Sequence, residues 1–213
     1  MGRFYRAQLL VMTQRRARWN ALWQRLGGTP PDDVLTALER QYSAAGRYYH
    51  TLLHLDAVLA SFDQLRPVAP NPDIAELALW LHDVVWEPMR DDCEARSVEW
   101  AIDHLPALPA STTLAALILE TRHLAAPSVD PDAAVVRDAD LSILAADEPD
   151  FDAYERAVRA EYAMLPTTQF NAGRTRILAD FAGRRPLYFT ATGRSWELRA
   201  RANLARSLAR LKA

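Results

Sequence analysis

The chain has 213 residues and a formal net charge of −2; half of its residues are apolar and 24% are charged. This length can bury a full core in one domain, residues 1–213, and the composition excludes a disordered chain; seven glycines are too few for a turn-rich β fold. The single cysteine, Cys93, excludes an internal disulfide and completes no CxxC motif, so a reducing compartment is expected.

The N-terminal stretch RFYRAQLLVMTQRRARWNALW has a short apolar run, but Arg15, Arg16 and Arg18 follow it and no small-residue cleavage site does, which argues against a signal peptide. No window approaches 18 consecutive apolar residues; no spanning helix or membrane partner is expected, and the cytoplasm is the expected location. Residues 1–31 carry +6 and residues 194–213 carry +5, so within the net of −2 the middle holds −13.

Helical periodicity runs from end to end, with no defensible strand, and predicts an all-α bundle. A first helix is expected from Phe4 to Leu26, stopping at Gly27-Gly28, and a second from Pro31-Asp32-Asp33 to about Gly46. The third carries YYHTLLHLDAVLASF, with Leu55, Val58, Leu59 and Phe62 marking a buried face. Asn71-Pro72-Asp73 reads as an N-cap, a first-turn proline and an acidic first turn, opening a helix through IAELALWLHDVVW that Pro88 closes. Further helices are expected at 91–105, 111–125, 138–146, 150–165, 168–183 and 195–211, with the longest linker from Ala125 to Val136. The tryptophans read mostly as core. Trp86, beside the doublet, could also line a pocket that stacks a base. Arg199, Arg206 and Arg210 read as the solvent face of a helix packed on an acidic body rather than a nucleic-acid stripe, so no nucleic-acid partner is expected.

Four of the five histidines fall into an ordered series with two aspartates: His50, His54, the doublet His82-Asp83, His123 and Asp140. Imidazole and carboxylate are the ligands of borderline and hard divalent cations, and two of each leave coordination positions for water and substrate. On one helix His50 and His54 share a face. His82 and Asp83 are about 100 degrees apart around a helix axis, so a shared cation needs partners from other helices; His54 and Asp140 can supply them. Asp138, on another face from Asp140, is expected to cap or support. His104 stands outside the series, as a helix-terminal residue.

This order resembles the HD superfamily of metal-dependent phosphohydrolases, whose signature is a His, a later His-Asp doublet and a distal Asp on separate helices. RYYHTLLHLDAVL, LWLHDVVWEP, EARS, RDADLSIL, NAGRTRILADFAGRRPLYFT and ELRARANLARSLARL together look like one bacterial branch, the predicted metal-dependent HD phosphohydrolases; the resemblance covers most of residues 42–211. Trp86 stands where a tyrosine often follows the doublet, and Cys93 where an asparagine is usual; neither change removes a ligand.

The resemblance implies a helical bundle with a metal site in its core, ligated by His54, His82, Asp83 and Asp140. It implies one divalent ion or two, from Mn, Mg, Ni, Fe, Co or Zn, and hydrolysis of a small phosphorylated molecule, with nucleotides among the candidates, by a metal-activated water. Asp83 could bridge a second ion, for which His123 or His50 is available. Alternatively these two histidines, with Arg47 and Arg122, contact the substrate's phosphate. Glu87, one helical turn past Asp83, could orient the water or shuttle a proton. The competing readings are a nucleotide or metal sensor of HD fold and a di-iron oxygenase of HD fold; the sequence leaves oligomeric state open.

Overall fold

A computed structural model describes residues 3–106, 108, 110–123 and 129–212. Among these the chain forms ten α-helices and no strand: α1 (Arg3–Arg25), α2 (Asp32–Tyr42), α3 (Leu52–Leu65), α4 (Pro72–Leu81), α5 (Cys93–His104), α6 (Ser111–Glu120), α7 (Pro131–Asp140), α8 (Glu148–Glu161), α9 (Thr167–Gly183) and α10 (Ala191–Lys212). No helix among the described residues is long and apolar enough to cross a membrane. Residues 124–128, which include part of the expected Ala125–Val136 linker and of the expected 111–125 helix, lie outside the described residues.

Two apolar clusters meet end to end. The first is built from α1 to α7 around Trp19, Trp23, Tyr42, Phe62 and Trp80. The second gathers the 3-10 turn Leu141–Ala145 and helices α8 to α10 around Phe151, Leu178, Tyr188 and Leu204, and Trp196 packs against both. The first cluster ends at Ala139 and the second begins at Leu141, so Asp140 stands at their junction.

Helices α4 and α7 explain how a site forms there. Each is ten residues long, about 15 Å at 1.5 Å per residue. Their first turns are tied together: the Asn71 backbone N–H donates to Asp132 at 3.0 Å, and the Asn71 amide donates to the same carboxylate at 2.8 Å. Two helices of equal length, joined at their starts and packed side by side, bring His82 and Asp140 to the same level at their ends. Helix α3 packs on both and brings His54. Asn71 thus stands at the expected cap position, but its amide bridges to α7 instead of capping its own helix.

The basic N-terminal helix is clamped to the acidic centre. Arg15, buried, bonds Glu39 of α2 and Asp56 of α3 at 3.0 and 2.9 Å. Glu76 of α4, 2% exposed, accepts from Arg18, Arg25 and Arg66 at 2.7, 2.7 and 2.6 Å. Breaking a buried charge pair from one side costs about 3–5 kcal/mol, and these arginines retain access to water. Glu76→Ala is therefore expected to lower unfolding free energy by about 2–3 kcal/mol, seen as a lower denaturation midpoint at unchanged slope. Arg199, Arg206 and Arg210 of α10 likewise pair with Asp147 and Asp152.

Three expectations are corrected. The fourth helix stops at Leu81 instead of continuing through HDVVW, because side chains from elsewhere satisfy the backbone of the doublet. Tyr42 Oη accepts from the Asp83 N–H at 3.2 Å, and Arg47 donates to the carbonyls of Asp83 and Val84 at 2.7 and 2.9 Å. The third helix starts at Leu52, with Thr51 accepting from the Leu53 N–H, so His50 precedes it and does not stack on His54 as an i, i+4 pair. The expected 138–146 helix is instead α7 from Pro131, capped by Asp130, followed by the 3-10 turn Leu141–Ala145.

Candidate metal centre

His54 in the first turn of α3, His82 at the C-cap of α4 and Asp140 at the end of α7 converge, one ligand atom from each lying within 4.8 Å of the others. The His54 and His82 Nε2 atoms are 3.2 Å apart, and Asp140 Oδ1 is 3.5 and 3.4 Å from them. Asp83 joins the group: its Oδ2 is 3.3 Å from His54 Nε2 and 3.1 Å from His82 Nε2. Ligands at about 2.1 Å from a common ion are about 3.0 Å apart at right angles and about 3.4 Å apart in a tetrahedron. The observed spacings fall in that interval or within about 0.1 Å of it.

The donor chemistry also fits a cation. His82 Nδ1 lies 2.8 Å from the Leu79 carbonyl, which accepts its proton and leaves the Nε2 lone pair toward the centre. With two ionised carboxylates beside it, the group has more lone pairs than protons to share. The C-terminal ends of α4 and α7, where carbonyls concentrate negative potential, also favour positive charge here.

Burial opposes protonation of His54 and His82, but the neighbouring carboxylates outweigh it: His54 is raised and His82 lies well above the ordinary imidazole range. Burial likewise opposes ionisation of Asp83 and Asp140, yet the histidines hold both well below the ordinary carboxylate range. In the metal-free chain the raised histidines contribute stability fully below about pH 6.5, lost as pH rises through their folded values. The depressed carboxylates contribute stability above about pH 3.8, lost as pH falls through theirs. A divalent ion replaces the imidazole protons, so affinity is expected to rise about tenfold per pH unit for each proton displaced. Titrating metal at pH 6 and pH 8 measures this; equal affinities would contradict the exchange.

His123, just past α6, places Nε2 2.7 Å from Asp140 Oδ2. Its buried Nδ1 has no partner among the described residues, and its φ of 54° is in the left-handed region. Met89 has φ 72°; both line one cavity, and non-glycine residues in this conformation concentrate at functional sites. That cavity, about 570 Å³, reaches Asp83 and Asp140 and takes walls from His50, Trp86, Glu94 and helices α8 and α9. A second, about 440 Å³, reaches His54 and Asp140 from between α3 and α8.

The remaining expected residues divide. His50 lines the first cavity, with its ring stacked on Trp86 at 4.4 Å and Nδ1 2.8 Å from Glu161. Arg47, expected to grip a phosphate, instead holds the carbonyls of His50, Asp83 and Val84 and shapes the doublet's loop. Arg122 is exposed and donates to the Asp91 carbonyl. Glu87 is exposed at the cavity mouth, on a loop rather than on the expected helical path, and pairs with Arg96 at 2.7 Å. Asp138 accepts from the Phe189 and Thr190 N–H groups ahead of α10, and a Cβ at Gly193 would lie 2.2 Å from it, so only glycine fits there. His104 ends α5, stacked on Trp100.

Sequence reasoning missed Glu161, Tyr42 and Glu94. Glu161, at the end of α8, receives the N–H groups of Tyr48, Tyr49 and His50 at 2.9, 2.7 and 2.9 Å, and nothing local in AVRAEYAML signals that role. Glu94 lines the cavity, and burial raises its carboxyl above the usual range. Its place beside the doublet's loop was the available signal. No family model, curated protein or solved structure matches the chain; its own geometry defines it as an all-helical protein with a buried His-His-Asp group that could hold a metal ion.

Proposed function

We propose that the chain is a metal-dependent phosphohydrolase of the HD type acting on a small phosphorylated molecule. The observation that carries this reading is the convergence of His54, His82 and Asp140, with both imidazoles 3.1–3.5 Å from Asp83 and Asp140, beside an accessible cavity. A divalent ion held by these four would lower the pKa of a water toward neutrality and polarise a phosphoryl oxygen.

The chain's own groups do the rest. The Leu79 carbonyl and the His82 ring fix the tautomer that presents Nε2. His123, donating from Nε2 to Asp140, keeps a lone pair on Nδ1, fit to accept a proton at the cavity wall. Asp140 is thereby bonded on both oxygens, to His123 through Oδ2 and toward the imidazoles through Oδ1, and its orientation is fixed. Trp86, Tyr154 and Phe181 give the cavity beside it aromatic walls.

Purified protein loaded in turn with Mn, Mg, Ni, Fe, Co or Zn is expected to release inorganic phosphate from phosphomonoesters or phosphoanhydrides. Asp83→Ala is expected to abolish release. Metal retention with ligand-induced stabilisation, but no product from any substrate class, would replace this reading with a sensor.

A further inference from the structure

The cavity beside the metal centre carries most of its charged groups toward its ends. Asp83, His123 and Asp140, with His50 and Glu94 beside them, occupy the inner end, and the exposed Glu87, Arg90, Asp91, Gln169 and Arg176 the mouth. Between them the wall is mainly apolar. Helix α8 contributes Tyr154 and Val158, and α9 contributes Phe170, Ile177 and Phe181 at seven- and four-residue spacing, which puts one face of α9 toward the cavity. The one buried cation among the described lining residues, Arg174, has its Nη2 bound by the Tyr154 hydroxyl at 2.6 Å and by Glu155, while its Nε has no partner among the described residues.

Gly173 is on the same face, in the interior of a seventeen-residue helix, where glycine is disfavoured. A Cβ built there meets nothing within 4 Å, so no packing contact demands the glycine, and the room it leaves lies along the cavity wall. About 570 Å³ is within the range of small-ligand pockets. A sugar placed against the α8 and α9 faces would meet fewer hydrogen-bond partners than it has hydroxyls, at a cost for each one left unpaired. An alkyl or aromatic body incurs no such cost.

We propose that the substrate is the phosphomonoester of an apolar alcohol, with its phosphate at the His and Asp centre and its organic body between α8 and α9. This rests on the phosphohydrolase reading. In the reaction the water oxygen bonds to phosphorus, the bond from phosphorus to the alcohol oxygen breaks, and one proton of the water ends on the alcohol, giving alcohol and inorganic phosphate.

Two measurements on the metal-loaded full chain test it separately from the activity. First, binding of non-hydrolysable alkylphosphonates of increasing chain length is followed by calorimetry. Affinity is expected to rise about fourfold per methylene until the cavity is filled. In Gly173→Leu, with metal content unchanged, that gain is expected to collapse. Second, hydrolysis is compared among primary-alcohol phosphates of similar leaving ability: hexyl phosphate, 2-phenylethyl phosphate, glycerol phosphate and a nucleoside 5′-phosphate. The first two are expected to exceed the others at least tenfold in kcat/KM. Flat phosphonate affinities, no phosphonate binding, or a preference for glycerol or nucleoside phosphate would overturn the proposal while the hydrolase reading stands. A clear phosphonate series with no phosphate cleaved would sustain the apolar pocket and overturn the hydrolase reading.

Discussion

His82→Ala is expected to cost the chain its divalent metal. Structural zinc sites with four ligands bind with about 10–16 kcal/mol; on that scale one ligand carries about 3–4 kcal/mol, or roughly 10²–10³-fold in affinity. The loss reaches beyond the ligand itself, because removing the ring frees the Leu79 carbonyl and leaves Asp83 and Asp140 facing each other with only His54 between them. Metal counted after dialysis against a weak chelator is expected to fall from about one ion per chain to near none. The thermal stabilisation that added metal gives the wild-type chain, about 4 kcal/mol at a thousandfold excess over Kd, is expected to vanish. Turnover is expected to go with it. His104→Ala, remote on α5 and stacked on Trp100, serves as the control and is expected to retain both. Unchanged metal content in His82→Ala would remove the site as a metal centre and leave a hydrogen-bonded His-Asp cluster.

The His54, His82 and Asp140 group was legible because each member is a residue type with few other reasons to recur in apolar helices. The helices were legible because their apolar stripes and Pro or Gly boundaries are local. What the sequence concealed was held from a distance. LWLHDVVW keeps helical periodicity through Trp86, yet α4 ends at Leu81, and Tyr42 takes the Asp83 N–H while Arg47 takes the Asp83 and Val84 carbonyls. An arginine near a histidine series invites a phosphate reading; here its guanidinium fork serves three carbonyls.

The start of α7 was a different case, because its signal was present. Asp130-Pro131-Asp132 matches the pattern of Asn71-Pro72-Asp73, with proline in the first turn of each helix, although only Asp130 caps its own helix with its side chain. The two triplets also bond to each other, and that contact sets the level at which His82 and Asp140 meet. A cap read only as the start of its own helix misses this second role.

Glu161→Ala is expected to be the most destabilising single change outside the core. One carboxylate oxygen accepts three consecutive backbone N–H groups, of Tyr48, Tyr49 and His50, and the other lies 2.8 Å from His50 Nδ1. The residue is 2% exposed, so no water replaces it. Leaving several part-buried donors unpaired at about 1–3 kcal/mol each, and removing a buried charge partner, gives a loss of about 3–5 kcal/mol. For a chain of this size that is a fall in Tm of about 10 °C. Burial pushes the Glu161 carboxyl up, but the bonds from His50 and the backbone outweigh it and hold its pKa below the usual range. Its contribution is therefore present above about pH 4.3 and lost as pH falls through the lower folded value. Segment 48–50 leads directly into Thr51, which caps α3 three residues before His54, and it sets the His50 ring on Trp86. Loosening it is thus expected to weaken metal binding about tenfold, as loss of an outer-shell support does. Glu161→Gln, which keeps an acceptor for the backbone N–H groups, is expected to recover most of the stability and most of the affinity. A Glu161→Ala chain with wild-type Tm would show that these N–H groups find other partners and that the loop before α3 holds itself.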